Sequence, residues 1–357
     1  MLPGNFNRSI FDPPWLSKVD NPDLLSLLRN EHFIEIDSIA FDPSFFSLIG
    51  PTANISRVIT FPDTTSHESS CYIPSTNQPF FATWGFSHSW QYVLDGNTNE
   101  LHNITTSPPT WNAHGCVHYD GFLCVATDGG MDGAGSQYAS IVEIDPRDWS
   151  AETLINNFYK MPFLGFHDLD VDRNGNIWVS ASTSAWGRYM TTFAPQTTPA
   201  VYFINTTTLV PKWVFQAPGG NTNGIAISSD FTLYISSTDI SSGRPNVKDA
   251  FKDRQLMAYD TRGGRPQLRD GRMFRTSVNY YCDGVRVSRS GLVWCAMGDG
   301  VDVLDEEKTL GRIRTRSELE RHLAVNLAFG REGELWVVGR GGVWSVTGIR
   351  EELRSEW

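Results

Sequence analysis

The chain has 357 residues and a net charge of −11, with no long basic run to offset it, which argues against a nucleic-acid backbone as partner. No window of about eighteen apolar residues occurs, so no membrane span is expected. Glycine (31), proline (19) and abundant Asn, Asp, Ser and Thr punctuate short strands, and twelve tryptophans point first to packing between sheets.

Residues 1–40 read as an irregular N-terminal arm. Phe11-Asp12-Pro13-Pro14-Trp15 is extended, and Asp23 to Arg29 predicts one short helix with Leu24, Leu25, Leu27 and Leu28 as its apolar side. Met1-Leu2-Pro3-Gly4 leads straight into polar sequence without the look of a signal peptide. Four sequons, at Asn7, Asn54, Asn103 and Asn205, lean toward a glycoprotein of the secretory pathway, as a mature chain would. The five cysteines (71, 116, 124, 282, 295) contain no CxxC pair, so a zinc knuckle is not expected. At most two disulfides can form, with connectivity open.

From residue 41 onward a unit recurs: a short strand, a turn built on Asp, Asn, Ser or Gly, and a stronger strand ending in small residues. Its copies lie at 69–83, 115–127, 168–182, 224–238, 284–298 and 327–340. In at least four a further strand follows, as at Ser140 to Ile144, Ala200 to Ile204, Gln255 to Tyr259 and Val301 to Leu304. Such spacing predicts an all-β, six-bladed β-propeller over residues 41–357. The last copy is followed only by Val343 to Val346 and a short tail, so an early strand, Ile55 to Phe61, is expected to complete it and close the ring.

In a propeller the first strand of each blade lines the central channel, so the residues opening those strands converge from distant sequence. Here they are Glu68, His114, His167, Asn223, Asp283 and Asn326, none of them apolar. Oxygen donors around a small axial cavity suit a hard cation, Ca²⁺ before Mg²⁺ where the ligands are irregular, and an Asp beside such a cation can act as a base. The bland reading competes: Asn-Gly and Asp-Gly are ordinary turn dipeptides, His114 can simply line the wall or serve as a proton shuttle, and Asn326 reads as structural. Cys282 reads as packing, since strand alternation turns it away from Asp283. Trp84, Trp90, Trp111 and Trp186 sit in or beside segments between blade strands, where any of them could roof the pocket, and are assigned first to core or rim packing. Asp128-Gly129-Gly130-Met131-Asp132-Gly133 lacks the closing Glu of an EF-hand loop and reads as a Gly-rich connection.

His67-Glu68 with the strand Cys71-Tyr72-Ile73-Pro74-Ser75-Thr76-Asn77, then Asn223-Gly224-Ile225-Ala226, then Asp283-Gly284-Val285 with Gly298-Asp299-Gly300-Val301, occur in order at blade spacing. In these the sequence resembles the regucalcin/gluconolactonase (senescence marker protein-like) superfamily, in particular its fungal lactonase-like branch. The resemblance implies a six-bladed propeller whose axial metal, usually calcium, is held by a Glu, two Asn and an Asp. Glu68, Asn223 and Asp283 match three of these. The first Asn is replaced: Phe166-His167-Asp168 stands where the family commonly has Phe-Asn-Asp. An imidazole is a poor calcium ligand, so three arrangements are open. His167 faces a softer ion such as Zn²⁺ or Fe²⁺; a water or Asp168 replaces the lost oxygen; or the metal is gone and a polar cluster remains.

The expected function is a metal-dependent hydrolase of a lactone or related ester bound in the central funnel. Its metal ligands are Glu68, His167, Asn223 and Asp283, with Asp283 as proton acceptor and His114 or His167 assisting. A non-hydrolytic cyclase of fungal secondary metabolism is the alternative, since relatives have been recruited for hetero-Diels–Alder chemistry, and a non-catalytic binding propeller stands third. The sequence contains no GxSxG elbow, P-loop or dinucleotide fingerprint.

Overall fold

In the computed structural model, residues 16–20, 22, 25 and 38–352 are described, apart from 63–64, 86–89, 133–134, 192–196, 218–219, 250, 278–279, 299 and 316–323. The helix expected at Asp23 to Arg29 lies outside the described residues. Six antiparallel blades ring a common axis, as the repeat predicts. In chain order their innermost strands are Ser66–Ile73, Ala113–Tyr119, Phe166–Val171, Thr222–Ile227, Val285–Val287 and Ala324–Phe329. The second strands, which pair with them, are Gln78–Trp84, Phe122–Thr127, Ile177–Ala181, Thr232–Ser237, Val293–Met297 and Glu334–Gly339.

The ring closes as expected. Ile49–Thr60 pairs with Gly342–Ile349 as the outermost strand of blade 6, in the register Ile55↔Val346 and Thr60↔Gly342. Ser38–Ala40, which the sequence reading leaves in the arm, instead adds a fifth strand to the rim of blade 5 through Ser38↔Ile313. Three residues carry no periodicity of their own, and their partner is far away in sequence.

Apolar side chains fill every seam between neighbouring blades. Blades 1 and 2 meet through Ile73, Phe80, Val125 and Ile144; blades 2 and 3 through Ile141, Phe163, Phe166 and Tyr202. Trp178 packs into the seam of blades 3 and 4, and Trp294 and Trp344 into that of blades 5 and 6. Blades 6 and 1, the two ends of the repeat, are joined by Phe81, Leu94, Trp336 and Val338. Strands covered on both faces are apolar without alternation, which is why the second strand of each copy stands out in the sequence.

Both disulfides lie at the channel wall. Cys71–Cys116 ties the inner strands of blades 1 and 2, and Cys282–Cys295 ties the entry of blade 5 to its second strand, leaving Cys124 free and buried. Cys282 is therefore a covalent tether and not a simple packing residue. Alternation does turn it away from Asp283 and into the core between blades 4 and 5. An irregularity follows it: Asp283 N–H donates to Ala296 O while Ala296 N–H donates to Gly284 O, both at 2.9 Å, so two residues oppose one.

Candidate functional site

That irregularity is repeated around the ring and builds the site. The inner-strand registers shift between Glu68 and Cys71, Ala113 and Gly115, Phe166 and Leu169, Thr222 and Ile225, and Ala324 and Asn326. A bulge re-aims a side chain out of the pleat. The residues at these shifts, Glu68, His114, His167, Asn223 and Val325, point with Asp283 into one cavity on the axis. In blade 1 the bulge holds Ser69 at φ +62° in the left-handed region, a strained setting for a residue with a Cβ.

Five of the six residues expected to converge therefore do so. The sixth, Asn326, does not: blade 6 presents Val325, while Asn326 accepts a hydrogen bond from Leu327 N–H at 2.8 Å. The X-Gly pairs here are not turns. They occur where inner strands of adjacent blades press together. A Cβ on Gly224 would collide with the Asp283 carbonyl oxygen, and one on Gly115 would lie 2.6 Å from Asp168 Cα.

Hydroxyls from second strands fix the bulged backbone. Ser180 Oγ donates to Asn223 O and Ser236 Oγ to Cys282 O, and in the reverse sense Thr222 Oγ1 of the blade 4 inner strand donates to Ala181 O at the end of the blade 3 second strand at 2.8 Å. Below the cavity Arg286 closes the channel. It donates to Asp168 Oδ2 (3.0 Å) and to the carbonyls of Val285 (2.7 Å), Cys116 (3.1 Å) and Ser70 (3.3 Å), so one guanidinium ties together blades 1, 2, 3 and 5. Burial raises the Asp168 carboxyl to about 6 against the pull of Arg286. Asp168 is committed to this pair and does not line the cavity, so it does not stand in for the missing asparagine.

Within the cavity the charges are tightly coupled. His114 sits between two acids, its Nδ1–H donating to Asp128 Oδ2 at 2.7 Å and its Nε2 lying 3.5 Å from Glu68 Oε1. Burial disfavours the imidazolium, but the Asp128 and Glu68 carboxylates outweigh it and raise His114 to about 10. Trp84 Nε1–H donates to the same Asp128 oxygen at 2.6 Å. His167, its ring 4.0 Å from that of His114, is held well below its ordinary value by burial, then by the charges of His114 and Arg188. Its Nε2 meets Ser184 Oγ at 2.9 Å, and its Nδ1 is buried without a partner. Asn223 Nδ2–H donates to Asp283 Oδ1 at 2.9 Å. Burial and then the Glu68 charge raise Asp283 to about 8.

Asp128, read from sequence as part of a Gly-rich connection, is thus a central member of the site. Trp84 lines it while packing in a small core cluster with Ala185 and Met190, whereas Trp90 is exposed. Arg188, Arg340, Ser184, Thr238 and Tyr281 complete the wall. Sequence reasoning missed them although a topological signal exists. The end of each second strand lies beside the start of its first, and Trp84, Asp128, Thr238 and Arg340 all stand at or just after second-strand ends.

The cavity holds about 20 Å³, room for one water or ion. Among the described residues no three of His, Cys, Asp and Glu already converge as a metal cluster. The donor set nonetheless fits a divalent cation. Two buried carboxylates line one cavity, burial first and then the Glu68 charge hold Asp283 at about 8, and the neutral His167 offers a nitrogen without a hydrogen-bond partner, so a cation could take the place of the Asp283 proton. Turning the Asn223 amide would present its oxygen to the same space.

Fold and site together define a six-bladed propeller with a polar axial centre. Residues 89–339 match the family described as SMP-30/Gluconolactonase/LRE-like region, and the chain belongs to that family. It is 30% identical over 328 residues to the lactonohydrolase oryL of Aspergillus oryzae, covering 85% of this chain and 73% of that protein. Among solved structures it superposes on a gluconolactonase from Xanthomonas campestris with a TM-score of 0.70 at 18% identity, covering 87% of this chain and 94% of that one. It superposes on the calcium-binding protein regucalcin from Agrobacterium tumefaciens with a TM-score of 0.60 at 16% identity, covering 84% and 95%. At these identities the structural matches speak for the fold.

Proposed function

We propose that the chain is a metal-dependent lactone hydrolase working at the axial cavity. The observation that carries this reading is the pair Glu68 and Asp283, two buried carboxylates lining one cavity with the neutral His167. The lactonohydrolase and gluconolactonase relatives favour hydrolysis over the cyclase and binding-module alternatives. Glu68, His167, Asn223 and Asp283 would hold the cation. When bound, it supplies positive charge for the carbonyl oxygen. Carboxylates and an amide oxygen suit Ca²⁺, and the His167 nitrogen shifts preference toward softer divalent ions.

The chain's own groups do the rest. A lactone rests at the cavity mouth against Trp84 and Tyr281. The Asp283 carboxylate accepts a proton from a water as its oxygen bonds to the carbonyl carbon. The ring C–O bond then breaks, the alkoxide takes the proton held by Asp283, and the new carboxylic acid releases its own proton to solvent, leaving a hydroxy-carboxylate and an ionised Asp283. His114, with both nitrogens engaged by acids, acts as a fixed positive charge that holds Glu68 in place.

The test is a screen of γ- and δ-lactones by proton release, with Ca²⁺, Mn²⁺ or Zn²⁺ added to metal-stripped protein. Asp283→Asn is expected to lower turnover by about 10²–10⁴-fold while the thermal melt stays cooperative. Undiminished turnover in that variant would remove the mechanism.

A further inference from the structure

Three cations stand around the mouth of the axial cavity, each delivered by a different blade. Arg188 follows the short helix Ser184–Gly187 after the second strand of blade 3. Lys248 lies on the small hairpin Ser241–Ser242/Val247–Lys248 of blade 4. Arg340 follows the second strand of blade 6. Both arginines line the cavity, and the Nε of each is buried without a hydrogen-bond partner. The Arg188 guanidinium lies flat over Trp84, 4.4 Å from the ring centroid. The Lys248 ammonium lies 4.6 and 5.1 Å from the rings of Tyr280 and Tyr281; burial disfavours its charge most, the Asp283 charge beneath it partly offsets this, and Arg188 and Arg340 add to the repulsion.

Among the described residues none of the three has a carboxylate within ion-pair distance. The acids beneath them are engaged elsewhere, Glu68 and Asp128 with His114 and Asp283 with Asn223. In a chain of net charge −11, three cations converging from three blades, none ion-paired among the described residues, repel one another. Such a cluster is stabilised by an anion that arrives from outside. Arginine forks match a carboxylate, offering two parallel N–H donors to its two oxygens.

We propose that Arg188, Arg340 and Lys248 form an anion subsite above the axial cavity, and that the substrate is a lactone carrying a free carboxylate apart from its ring ester. The lactone half rests on the hydrolase reading above; the anion subsite does not. The subsite orients the ring so that its ester carbonyl faces Asp283, and it selects against neutral lactones of the same size.

The experiment uses a matched pair, a γ-butyrolactone bearing a ring carboxylate and its carboxamide, together with tetrahydrofuran carboxylate as a probe that cannot be hydrolysed. The expected result is a kcat/KM about ten- to hundredfold higher for the carboxylate lactone, expressed mainly in KM. Arg340→Gln and Arg188→Gln each lower that preference by about tenfold, and Arg340→Lys restores part of it, which separates lost charge from lost fold. Tetrahydrofuran carboxylate binds by titration calorimetry, and Arg340→Gln weakens it. Equal rates for the two lactones, or a preference unchanged in both glutamine variants, would overturn the proposal. So would failure of the probe to bind. Binding of the probe that depends on Arg340, with neither lactone hydrolysed, would sustain the anion subsite and overturn the lactone half together with the hydrolase reading.

Discussion

If a cation occupies the axial cavity, it must displace a proton. Asp283 is raised to about 8 by burial and by Glu68, so at pH 6 the metal-free protein holds it protonated. Binding then releases that proton, and affinity rises with pH until Asp283 ionises unaided. For a single group at about 8, the apparent affinity scales inversely with one plus the ratio of protonated to ionised carboxyl. That factor is about 101 at pH 6 and about 2 at pH 8, so affinity should improve by about fiftyfold, or about 2.3 kcal/mol. His114 stays protonated throughout, being held at about 10, and His167 stays neutral, so neither adds to the slope. The assay is calorimetric titration of metal-stripped protein with Ca²⁺ at pH 6, 7 and 8, in two buffers of different ionisation enthalpy to count protons released. Asp283→Asn should flatten the dependence. A flat affinity in the parent chain, or the same slope in Asp283→Asn, would refute the assignment of that proton to Asp283.

Further outcomes follow from the scaffold. Arg286→Met strands the buried Asp168 carboxylate and three carbonyls, with an expected loss of about 3–5 kcal/mol in urea unfolding. Because Asp168 is already raised, the folded state binds its proton more tightly than the unfolded state, so the loss should be larger at pH 8 than at pH 5. Gly224→Ala drives a Cβ into the Asp283 carbonyl and should cost about 1–3 kcal/mol, read by thermal unfolding. Replacing Cys71 and Cys116 together by Ser opens a cross-link between residues 45 apart in sequence and should cost at most about 4 kcal/mol by loop entropy, measured against the parent under non-reducing conditions.

The ring was legible because each second strand is buried on both faces and so reads as an apolar run between turn residues. Ile55 to Phe61 could be assigned to blade 6 because that blade lacked an outer strand, although the strand begins earlier, at Ile49, and ends at Thr60. Ser38–Ala40 could not, since nothing local marks a three-residue rim strand. Within the site, the residues opening the inner strands were legible by phase alone. The error at Asn326 is a slip of one residue, since a regular pleat was assumed where the register of blade 6 shifts between Ala324 and Asn326. Cys282 does turn away from Asp283, but its bond to Cys295 was not legible because spacing leaves the connectivity open. Asp128 was hidden by its glycines. Its role comes from the partner it meets, His114, and that meeting is set by the pairing of Ala113–Tyr119 with Phe122–Thr127.

The axis reads as two layers with different duties. The lower one is saturated: Arg286 spends its donors on one carboxylate and three carbonyls, and Ser180 and Ser236 hold the backbone of the neighbouring blade. The upper one is unsatisfied. It contains a carboxyl raised to about 8, an imidazole nitrogen without a partner, and two arginine Nε atoms buried without acceptors. Unmet polar groups in a buried site are costly, and they persist only where the surrounding structure over-determines them. Here the lower layer does so, by fixing the bulges from which the upper side chains project. The two kinds of deficit are also complementary. In the deep cavity the His114 charge does not offset burial and Glu68 at Asp283, and the mouth lacks negative charge between its cations. A cation below and a carboxylate-bearing ring above would satisfy both, and would place an ester carbonyl between them, over Asp283.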